Sequence, residues 1–492
     1  MAAWTLNDWL APWLTLTDDR RIGPPALDSR RLERGGVFLA CAGEREHGLN
    51  YLASALDAGA SVIVWEPGAA IEKRRVESDC AAAGVVAVAL DALGQRAGEL
   101  AARYYGEPGA DLVVLGVTGT DGKTSVTQFV ARALGGEPGG CAVIGTLGWG
   151  WPDRLQPSEL TTPDAVTLQA WLAAVRDDGA QAVAMEVSSH ALAQRRVDAV
   201  PFDVAVLTNL GHDHLDYHGS REAYRAAKRR LFDIANPVPV LNLDDTWGAA
   251  LADELNDRQP VGYTMRDERP ARVCCRRFQP EPGGMTLELI ADASVVSLRL
   301  PVMGRFNVSN VLAAAGGVVA AGVEPARLPD CLARIQPVAG RMEPIAADSK
   351  PTVVVDYAHT PGALEAALAA VREHCRGHLW LVFGCGGDRD RMKRSTMGGI
   401  AERDADRVVL TNDNPRHEDP ERIIGDICSR MAGEVTVLLD RRHAIRYAIG
   451  TAADEDCVLI AGKGHETWQV SGTQRQPFSD RDEASLALRE VV

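Results

Sequence analysis

Seven apolar runs of strand length each end in a polar or glycine-rich cluster. Uninterrupted apolar runs are typical of strands buried on both faces of a parallel sheet. Amphipathic helical spacing between the runs predicts crossover helices and hence an α/β fold. The runs with their clusters are LVVLGVTGTDGKT (112–124), AVAMEVSSH (182–190), VAVLTNLGHDHLDYH (204–218), TVVVDYAHT (352–360), LWLVFGCGGDRD (379–390), RVVLTNDNPR (407–416) and CVLIAGKGHE (457–466).

The clusters predict ligand sites, because open α/β sheets bind ligands beyond the carboxyl ends of their strands. Any one cluster, taken singly, is compatible with an ordinary polar loop after a strand. Seven in one chain, rich in groups that bind phosphate or metal, favour a functional interpretation.

Breaks in the pattern divide the chain into three predicted domains. The chain has 492 residues, whereas single cores stop growing at roughly 250–300 residues. Breaks lie at GEPGAD (106–111) and near QPVAGR (336–341). We therefore predict domains at 1–107, 108–337 and 338–492.

The first predicted domain opens with a short helix rather than a signal peptide. Its first residues include Asp8 and Pro12 and lack a basic segment. Strands are predicted at VFLA (37–40) and SVIVW (61–65), with a helix at NYLASALDAGA (50–60) between them.

Composition narrows the class of protein. A net charge of −15 argues against sequence-independent nucleic-acid binding, which needs an excess of Lys and Arg. The ten cysteines form no C-x-x-C pair, which disfavours structural zinc and is typical of a reducing compartment. No apolar run approaches the roughly 18 residues of a membrane span. We expect a cytoplasmic enzyme that acts as a monomer.

The segment GVTGTDGKTS (116–125) resembles a phosphate-binding loop with altered spacing. Gly122, Lys123 and Thr124 fit the Walker pattern, but Val117 stands where its first glycine belongs. An apolar strand precedes the loop and a helical pattern follows it. That context predicts phosphate binding by backbone N–H groups, with a glycine turn carrying a surface lysine as the alternative.

Other candidates are ambiguous from the residues alone. Glu186 and His214 follow strands and could ligate Mg²⁺, although a lone histidine is more often structural. Lys228, in YRAAKRRLF, has the pattern of a solvated helix face beside Arg229 and Arg230.

The later clusters also leave alternatives open. Asn307 and Asn310 either cap the helix that follows them or contact a nucleotide, and Asp356 and His359 have the same two alternatives. The arginines of GGDRD and DNPR form surface salt bridges or grip a carboxylate. Glu466 could bind an amine.

Together these motifs resemble the Mur ligase family, whose phosphate loop reads G-T-[ND]-G-K-[ST]. Asp121 stands where asparagine is commoner and adds a negative charge. The resemblance spans almost the whole chain and implies a UDP-muramoyl substrate domain, a central P-loop sheet and a C-terminal Rossmann-like domain that binds the incoming amino acid. The matching motifs, in order, are LDSR, GTDGKT, TTPD, MEVSSH, TNLGHDHLDYHG, AAK, GRFNVSN, PVAGRME, DYAHTP, FGCGGDRD, DNPR and GKGHE.

The resemblance also implies roles for individual residues. Lys123, Glu186, His214 and Lys228 would be catalytic, with Lys228 carbamylated by CO₂. Metal would be held by Thr124, Glu186, His214 and the Lys228 carbamate. ATP would contact Gly116, Val117, Thr118, Gly119, Thr120, Asp121, Gly122, Lys123, Thr124, Ser125, Asn307, Arg341 and Asp356. The UDP-muramoyl dipeptide would contact Leu27, Ser29, Thr161, Thr162, Ser188, Gln194 and Arg196. The incoming amino acid would contact Arg389, Asp413, Asn414, Pro415, Arg416, Gly462 and Glu466.

The resemblance implies ATP- and Mg²⁺-dependent addition of meso-diaminopimelate to UDP-N-acetylmuramoyl-L-Ala-D-Glu. DNPR resembles the signature of diaminopimelate-adding members, and Arg416 would grip the second carboxylate that lysine lacks. Alternatives are a lysine-adding ligase and a folylpolyglutamate synthetase-like ligase. From other classes, a non-catalytic nucleotide switch and a small-molecule kinase remain open.

Overall fold

The computed structural model describes residues 4–43, 46–68, 73–266, 270–292, 294–345 and 351–490. The described chain falls into two compact units. The first unit comprises Met1–Lys123, Leu134–Leu241 and Ala250–Pro260, and the second comprises Thr124–Ala133, Asn242–Ala249 and Val261–Val492. The predicted domain boundaries at 107/108 and 337/338 stay a prediction.

A four-stranded parallel sheet opens the first unit, with its strands in chain order. The predicted strands and the helix between them are confirmed. The strands are β1 (Pro25–Ala26), β2 (Val37–Ala40), β3 (Val62–Trp65) and β4 (Val86–Ala89). The helices are α1 (Leu6–Leu10), α2 (Leu52–Asp57), α3 (Lys73–Ala82) and α4 (Leu93–Tyr104). The predicted N-terminal helix is α1, which docks on α4 through a hydrogen bond of 2.9 Å from Trp9 Nε1 to Leu100 O.

A second sheet of the first unit carries the predicted phosphate loop. Its strands are β5 (Val113–Thr118), β6 (Cys141–Gly145), β7 (Gly148–Trp151), β8 (Arg154–Gln156), β9 (Ala182–Glu186), β10 (Val204–Leu207) and β11 (Val238–Asn242), in the order β11-β10-β5-β9-β6-β7-β8. Helices in this stretch of chain are α5 (Lys123–Leu134), α6 (Ala165–Asp177), α7 (Ser189–Ala193), α8 (Leu215–His218), α9 (Arg221–Arg229) and α10 (Thr246–Glu254).

The central strand β5 pairs in parallel with β9 on one side and β10 on the other. The predicted clusters after these three strands therefore begin at one edge of the sheet. Apart from Val113, the residues of these three strands are buried, as expected for runs that are mainly apolar.

The second unit begins with mainly antiparallel strands and a small-residue helix. The strands are β12 (Val261–Thr264), β13 (Val273–Glu281), β14 (Gly284–Ala291) and β15 (Ser294–Leu300). The helices are α11 (Arg305–Ala320) and α12 (Leu328–Leu332).

The last sheet has the order β16-β17-β21-β18-β19-β20, with four central parallel strands. Its strands are β16 (Glu343–Ile345), β17 (Thr352–Asp356), β18 (Leu379–Phe383), β19 (Arg407–Leu410), β20 (Thr436–Val437) and β21 (Cys457–Ala461), and a separate hairpin comprises β22 (Trp468–Ser471) and β23 (Gln474–Pro477). The helices are α13 (Pro361–His374), α14 (Met392–Asp404), α15 (Pro420–Cys428), α16 (Arg441–Thr451) and α17 (Asp480–Glu490). All four apolar runs predicted in this region are confirmed as neighbouring strands.

A buried ion pair ties this sheet to its last helix. The Arg441 guanidinium and the Asp480 carboxylate are both inaccessible to solvent and form two hydrogen bonds of 2.7 Å. Arg441 also donates to the carbonyls of Asn412 and Ala461, which follow β19 and end β21. The pair therefore holds the carboxyl ends of two strands that precede predicted binding loops.

We expect Asp480→Ala to destabilise the second unit by about 3–5 kcal/mol, because it leaves a buried guanidinium without its counter-ion. The measurement is the shift of the urea unfolding midpoint by circular dichroism. Asp482→Ala, an exposed acidic residue of the same helix, is the matched control and should cost under about 1 kcal/mol. Equal shifts for the two variants would contradict the structural role of the pair.

Candidate active site

The predicted phosphate loop joins β5 to α5, as its sequence context indicates. Gly119 follows β5 directly, and a Cβ there would lie 1.8 Å from Oγ1 of Thr208. Gly122 has φ +83°, a conformation that side chains disfavour. Both glycines are therefore required by the backbone of this loop.

The loop is held by the segment that follows β10. The N–H of Thr120 donates to Asn209 O at 3.0 Å, and the N–H of Asp121 donates to Asn209 Oδ1 at 3.0 Å. Thr208 Oγ1 donates to Asp121 O at 2.6 Å. Because these contacts use the backbone of residue 121, they hold the loop independently of the aspartate side chain.

The remaining predicted ATP-binding residues of this segment lie on both sides of the turn. Gly116, Val117 and Thr118 belong to β5 and are buried, so they support the loop. Thr124 and Ser125 lie in the first turn of α5 and are also buried. Lys123 Nζ donates to Gly119 O at 2.9 Å and Thr120 O at 2.8 Å.

Lys228 is buried, so the solvated-face interpretation of its helix is wrong. Its Nζ donates to Gly119 O at 2.7 Å and lies 4.5 Å from the centre of the Tyr224 ring. Arg229 and Arg230 instead make ion pairs with acidic residues, including Glu254 and Asp198. Burial and the neighbouring Lys123 charge place the pKa of Lys228 well below its usual value, which favours the uncharged amine.

Glu186 ends β9 and is buried. Its carboxylate accepts the N–H of Thr146 at 2.8 Å and the hydroxyl of Thr146 at 3.1 Å. His214 lies beyond β10 with φ +54°, and its Nε2 is 3.4 Å from Asp213 Oδ2. In the described part of the chain, no group of three His, Cys, Asp or Glu residues is placed to hold a metal ion.

Five of the predicted muramoyl-dipeptide residues gather around the end of β9. Thr162 Oγ1 donates to Glu186 O at 2.8 Å and accepts the N–H of Ser188 at 3.1 Å. Arg196 donates to Thr162 O and to Gln194 Oε1, each at 2.9 Å. The fifth residue, Thr161, shares a hydrogen bond of 3.0 Å with Thr146 and so joins the same group.

The other two predicted muramoyl-dipeptide residues, Leu27 and Ser29, lie in the chain segment after β1. Leu27 packs against the hydrophobic core beside the first sheet, and Ser29 Oγ is 3.0 Å from Ser54 Oγ. Arg31, in the same short helical turn as Ser29, pairs with Glu159 at 2.8 Å. This ion pair links the turn to the segment that leads into Thr161.

The predicted nucleotide residues of the second unit have defined partners. Asn307 donates to Met303 O at 2.7 Å and accepts from Asn310 at 2.9 Å. Neither asparagine caps α11, whose N-cap is Gly304, so the capping alternative is wrong.

Arg341 and Asp356 lie beside the KGHE segment. Arg341 stacks over Tyr357 at 4.7 Å, and a Cβ on its neighbour Gly340 would lie 2.0 Å from His465 N. Asp356 accepts the N–H groups of Met342 and Ala358 at 2.7 and 2.8 Å. Burial raises the pKa of Asp356 against these hydrogen bonds.

The predicted amino-acid residues after β19 and β21 form one network. Asn414 Nδ2 donates to Glu466 Oε2 at 2.9 Å. Lys463, which is inaccessible to solvent, donates to Asn414 Oδ1, Glu466 Oε2 and Trp468 O at 3.1, 3.0 and 2.7 Å. Burial raises the pKa of Glu466, but the Lys463 charge and the hydrogen bonds from Asn414 and Lys463 together outweigh burial, and the net pKa is lowered. Glu466 therefore remains a carboxylate.

Asp413 and Gly462, two further predicted amino-acid-binding residues, lie against each other beside this network. Asp413 is buried, which raises its pKa despite the nearby Arg441. Gly462 has φ +115°, and a Cβ there would lie 2.7 Å from Asp413 Oδ2. A side chain at Gly462 would therefore push against this carboxylate.

Arg416 connects DNPR to the GGDRD loop. Its guanidinium donates to Gly387 O at 2.7 Å, and the N–H of Gly387 donates to Asn414 O at 2.9 Å. Pro415 is buried between them, whereas Arg389 is exposed on the GGDRD loop. The structure thus brings the clusters after β18, β19 and β21 together, as parallel strand order predicts.

Sequence reasoning missed three residues of these sites. Lys463 lies inside KGHE, where a lysine between two glycines and three residues before Glu466 is a detectable signal. Tyr224 lies one helical turn before Lys228, and its hydroxyl is 3.0 Å from Thr120 Oγ1. Thr146 follows β6, whose polar cluster is too short to stand out.

Among the described residues, no helix combines the length and apolar character needed to cross a membrane.

Comparison with known proteins places these motifs in context. Models of the Mur ligase family catalytic domain, the Mur ligase middle domain and the Mur ligase glutamate ligase domain match residues 26–105, 117–318 and 340–464. A protein of Alkalilimnicola ehrlichii named UDP-N-acetylmuramoyl-L-alanyl-D-glutamate–2,6-diaminopimelate ligase is 51% identical over 99% of both chains.

Solved structures agree with the sequence comparisons. A structure of a UDP-N-acetylmuramoyl-L-alanyl-D-glutamate–2,6-diaminopimelate ligase has a TM-score of 0.73 at 33% identity and covers 99% of both chains. Mycobacterium tuberculosis folylpolyglutamate synthase has a TM-score of 0.58 at 19% identity, covering 75% of this chain and 92% of that one, a likeness of fold alone. The chain belongs to the Mur ligase family.

Proposed function

We propose that the chain is an ATP-dependent ligase that adds meso-diaminopimelate to the γ-carboxylate of D-glutamate in UDP-N-acetylmuramoyl-L-Ala-D-Glu. The reaction belongs to peptidoglycan precursor synthesis in the cytoplasm, and the chain acts as a monomer on small-molecule substrates. The observation that carries the proposal is the array of Arg416, Asn414, Lys463 and Glu466, in a chain whose full-length relative bears this ligase's name.

The array suits an amino acid with two charged ends. Glu466 stays ionised because the charge of Lys463, 3.0 Å away, and the hydrogen bonds from Lys463 and Asn414 together lower its pKa, so it can pair with an ammonium group. Arg416 offers a guanidinium, whose planar fork binds carboxylates. Diaminopimelate has a second carboxylate for this arginine, whereas lysine leaves it without one. We assign Arg389, Asp413, Pro415 and Gly462 to the same pocket.

We assign the phosphates of ATP to the turn before α5. The first N–H groups of a helix attract anions, and Lys123 adds a positive charge within the same loop. Asn307, Arg341 and Asp356 are proposed to contact the rest of the nucleotide. Thr161, Thr162, Ser188, Gln194 and Arg196, with Leu27 and Ser29, are proposed to hold the muramoyl dipeptide.

The side chains near the loop are compatible with Mg²⁺ carried by ATP. Mg²⁺ usually takes one or two protein carboxylates together with substrate phosphates, so a cluster of three acidic residues is not required. Thr124, Glu186, His214 and carbamylated Lys228 are the proposed ligands. The ion would neutralise negative charge on the transferring phosphoryl group.

Lys228 has the properties needed for reaction with CO₂. Its lowered pKa favours the uncharged amine, whose nitrogen forms a bond to carbon as a proton leaves. The product is a carboxylate-like carbamate beside Lys123. This modification would place a negative charge, in place of an uncharged amine, beside the Lys123 cation.

Amide formation then needs an activated carboxylate. The γ-carboxylate attacks the terminal phosphorus of ATP, which forms an acyl phosphate and releases ADP. The diaminopimelate amine attacks the acyl carbon and loses a proton. The tetrahedral intermediate expels phosphate and leaves the amide.

We expect the purified chain to form tripeptide, ADP and phosphate from the muramoyl dipeptide, ATP and diaminopimelate. Lysine in place of diaminopimelate should lower kcat/KM by about 10⁴-fold, since Arg416 would lose its partner. Coupled detection of ADP measures both. Release of AMP and pyrophosphate would contradict the acyl-phosphate route, and equal use of lysine or of folate substrates would favour the alternative ligases. A stable phosphorylated product formed without amine would indicate a kinase, and ATP binding without turnover would indicate a nucleotide switch.

We expect Lys228→Ala to lower kcat by about 10²-fold or more, because it removes a proposed ligand of the metal ion that would neutralise charge at the phosphoryl transfer. Added formate or acetate should restore part of the rate by supplying the missing carboxylate. Arg225→Ala, an exposed position one turn earlier, is the control and should retain full activity. Full activity of Lys228→Ala without additives would refute the carbamate role.

We expect Arg416→Met to weaken diaminopimelate use by about 2–5 kcal/mol, because a charged hydrogen-bonding partner is removed. The KM for ATP should stay within about twofold. Steady-state kinetics with each substrate varied in turn checks this. Arg422→Ala, an exposed arginine in α15, provides the matched control. Equal losses for diaminopimelate and ATP would count against the clamp.

A further inference from the structure

A buried histidine joins the end of α13 to the start of α11. His374 is the last residue of α13 and is 5% exposed. The N–H of Gly304, which is the N-cap residue of α11, donates to His374 Nε2 at 3.0 Å. On the other side of the ring, Nδ1 lies 2.8 Å from the carbonyl oxygen of Glu281, the last residue of β13. The imidazole therefore bridges three elements of the second unit through both of its ring nitrogens.

The two contacts require a single form of this imidazole. A carbonyl oxygen only accepts hydrogen bonds, so Nδ1 must carry the ring proton. A backbone N–H only donates, so Nε2 must carry the lone pair. A proton on Nε2 would point two donors at each other and leave the Gly304 N–H without its acceptor. His374 therefore holds Gly304 only as the neutral imidazole.

The peptide group that His374 holds also orients Asn307. Its N–H belongs to Gly304 and its carbonyl to Met303, and that carbonyl accepts from Asn307 Nδ2 at 2.7 Å. Met303 is buried, and a Cβ on Gly304 would lie 3.0 Å from the Cβ of Ala370 in α13. The peptide therefore packs directly against α13. Because a peptide group is planar, a rotation that moves its N–H away from His374 also moves its carbonyl away from the Asn307 amide.

We propose that His374 is a positioning residue of the nucleotide site: it fixes the Met303–Gly304 peptide and, through it, the amide of Asn307. The proposal rests on the nucleotide contact proposed for Asn307. His374 acts through the peptide, since both of its ring nitrogens already bind backbone groups. Its loss should weaken nucleotide binding and leave the muramoyl-dipeptide site unchanged, because the residues proposed for that site lie in the first unit.

Protonation of His374 should have the same effect as its loss. Burial lowers the pKa of His374, against the charge of Glu373 and the backbone hydrogen bond to Glu281. Glu373 pairs with Arg305 of α11 at 3.6 Å, and the Glu281 carboxylate pairs with Arg299 of β15 at 2.9 Å. Since the pKa in the folded chain lies below the ordinary histidine value of about 6.5, the neutral form prevails at neutral pH. Nucleotide affinity should therefore fall only at pH values below about 6.5.

The test measures the Kd of the full-length chain for a nonhydrolysable ATP analogue with Mg²⁺, by isothermal titration calorimetry. His374→Leu should raise this Kd about tenfold near neutral pH, because the Gly304 N–H loses its acceptor. His374→Gln should stay within about threefold, since its carboxamide oxygen can accept that N–H. The Kd for the muramoyl dipeptide should change less than about twofold in both variants. His378→Leu, at an exposed histidine of the same unit, is the matched control and should bind like the unsubstituted chain.

The pH profile distinguishes a titrating ring from a merely structural one. Between about pH 7.5 and about pH 5, the Kd of the unsubstituted chain should rise about threefold or more above that of His374→Gln, whose carboxamide does not titrate. Protonation of the nucleotide itself affects both chains equally. An equal pH dependence of the two chains would overturn the proposal. This comparison does not depend on the folding of His374→Leu.

Asn307→Ala separates this proposal from the proposed function. It should weaken binding of the analogue by itself, and adding His374→Leu to it should raise the Kd less than about twofold further, since His374 acts through Asn307. A fully additive loss, or an unchanged Kd for His374→Leu beside a weakened Asn307→Ala, would overturn the positioning role alone. A chain that binds no analogue, or Asn307→Ala with an unchanged Kd, would contradict the proposed nucleotide site and this proposal with it.

Discussion

Two lysine side chains donate hydrogen bonds to the same carbonyl oxygen, directly after the carboxyl end of β5. Lys123 and Lys228 both donate to Gly119 O, at 2.9 and 2.7 Å. Two ammonium groups so close together in a buried place repel each other, and desolvation adds to the cost. The lower-energy state has one cation and one uncharged amine. The fold therefore imposes this charge arrangement on the predicted phosphate loop.

The second unit also contains a buried lysine, Lys463, but its charge is stabilised in a different way. Lys463 keeps a carboxylate partner in Glu466 and two further acceptors, so its charge is neutralised where it stands. Its contact with Asn414 Oδ1 also fixes the orientation of that amide, since the other end donates to Glu466. One lysine is thereby suited to modification, and the other holds Asn414 and Glu466 in a single arrangement.

The apolar pattern of the chain predicted the strands well, because a strand buried on both faces shows in the sequence as a continuous run of apolar residues. Parallel order then places the following clusters at one edge, as DNPR, GGDRD and KGHE show. Burial of single polar residues was not predictable. Lys228, Arg229 and Arg230 are consecutive basic residues, and only the position of Gly119 selects the first of them for the interior. For Asn307 the sequence left helix capping and nucleotide contact as alternatives, because it does not show that α11 begins at Arg305.

The conformation of Arg416 shows how a hairpin with no obvious sequence signal can position a residue of the predicted amino-acid site. Its φ of +51° is disfavoured for a residue with a side chain, and such strain persists only where neighbours enforce it. Here the neighbours belong to the β22–β23 hairpin: Arg416 donates to Val470 O at 3.1 Å and accepts from Gly472 at 2.6 Å. These bonds fix the backbone from which the guanidinium reaches Gly387. This hairpin, whose strands are partly or fully exposed, thereby sets the backbone direction of one arginine.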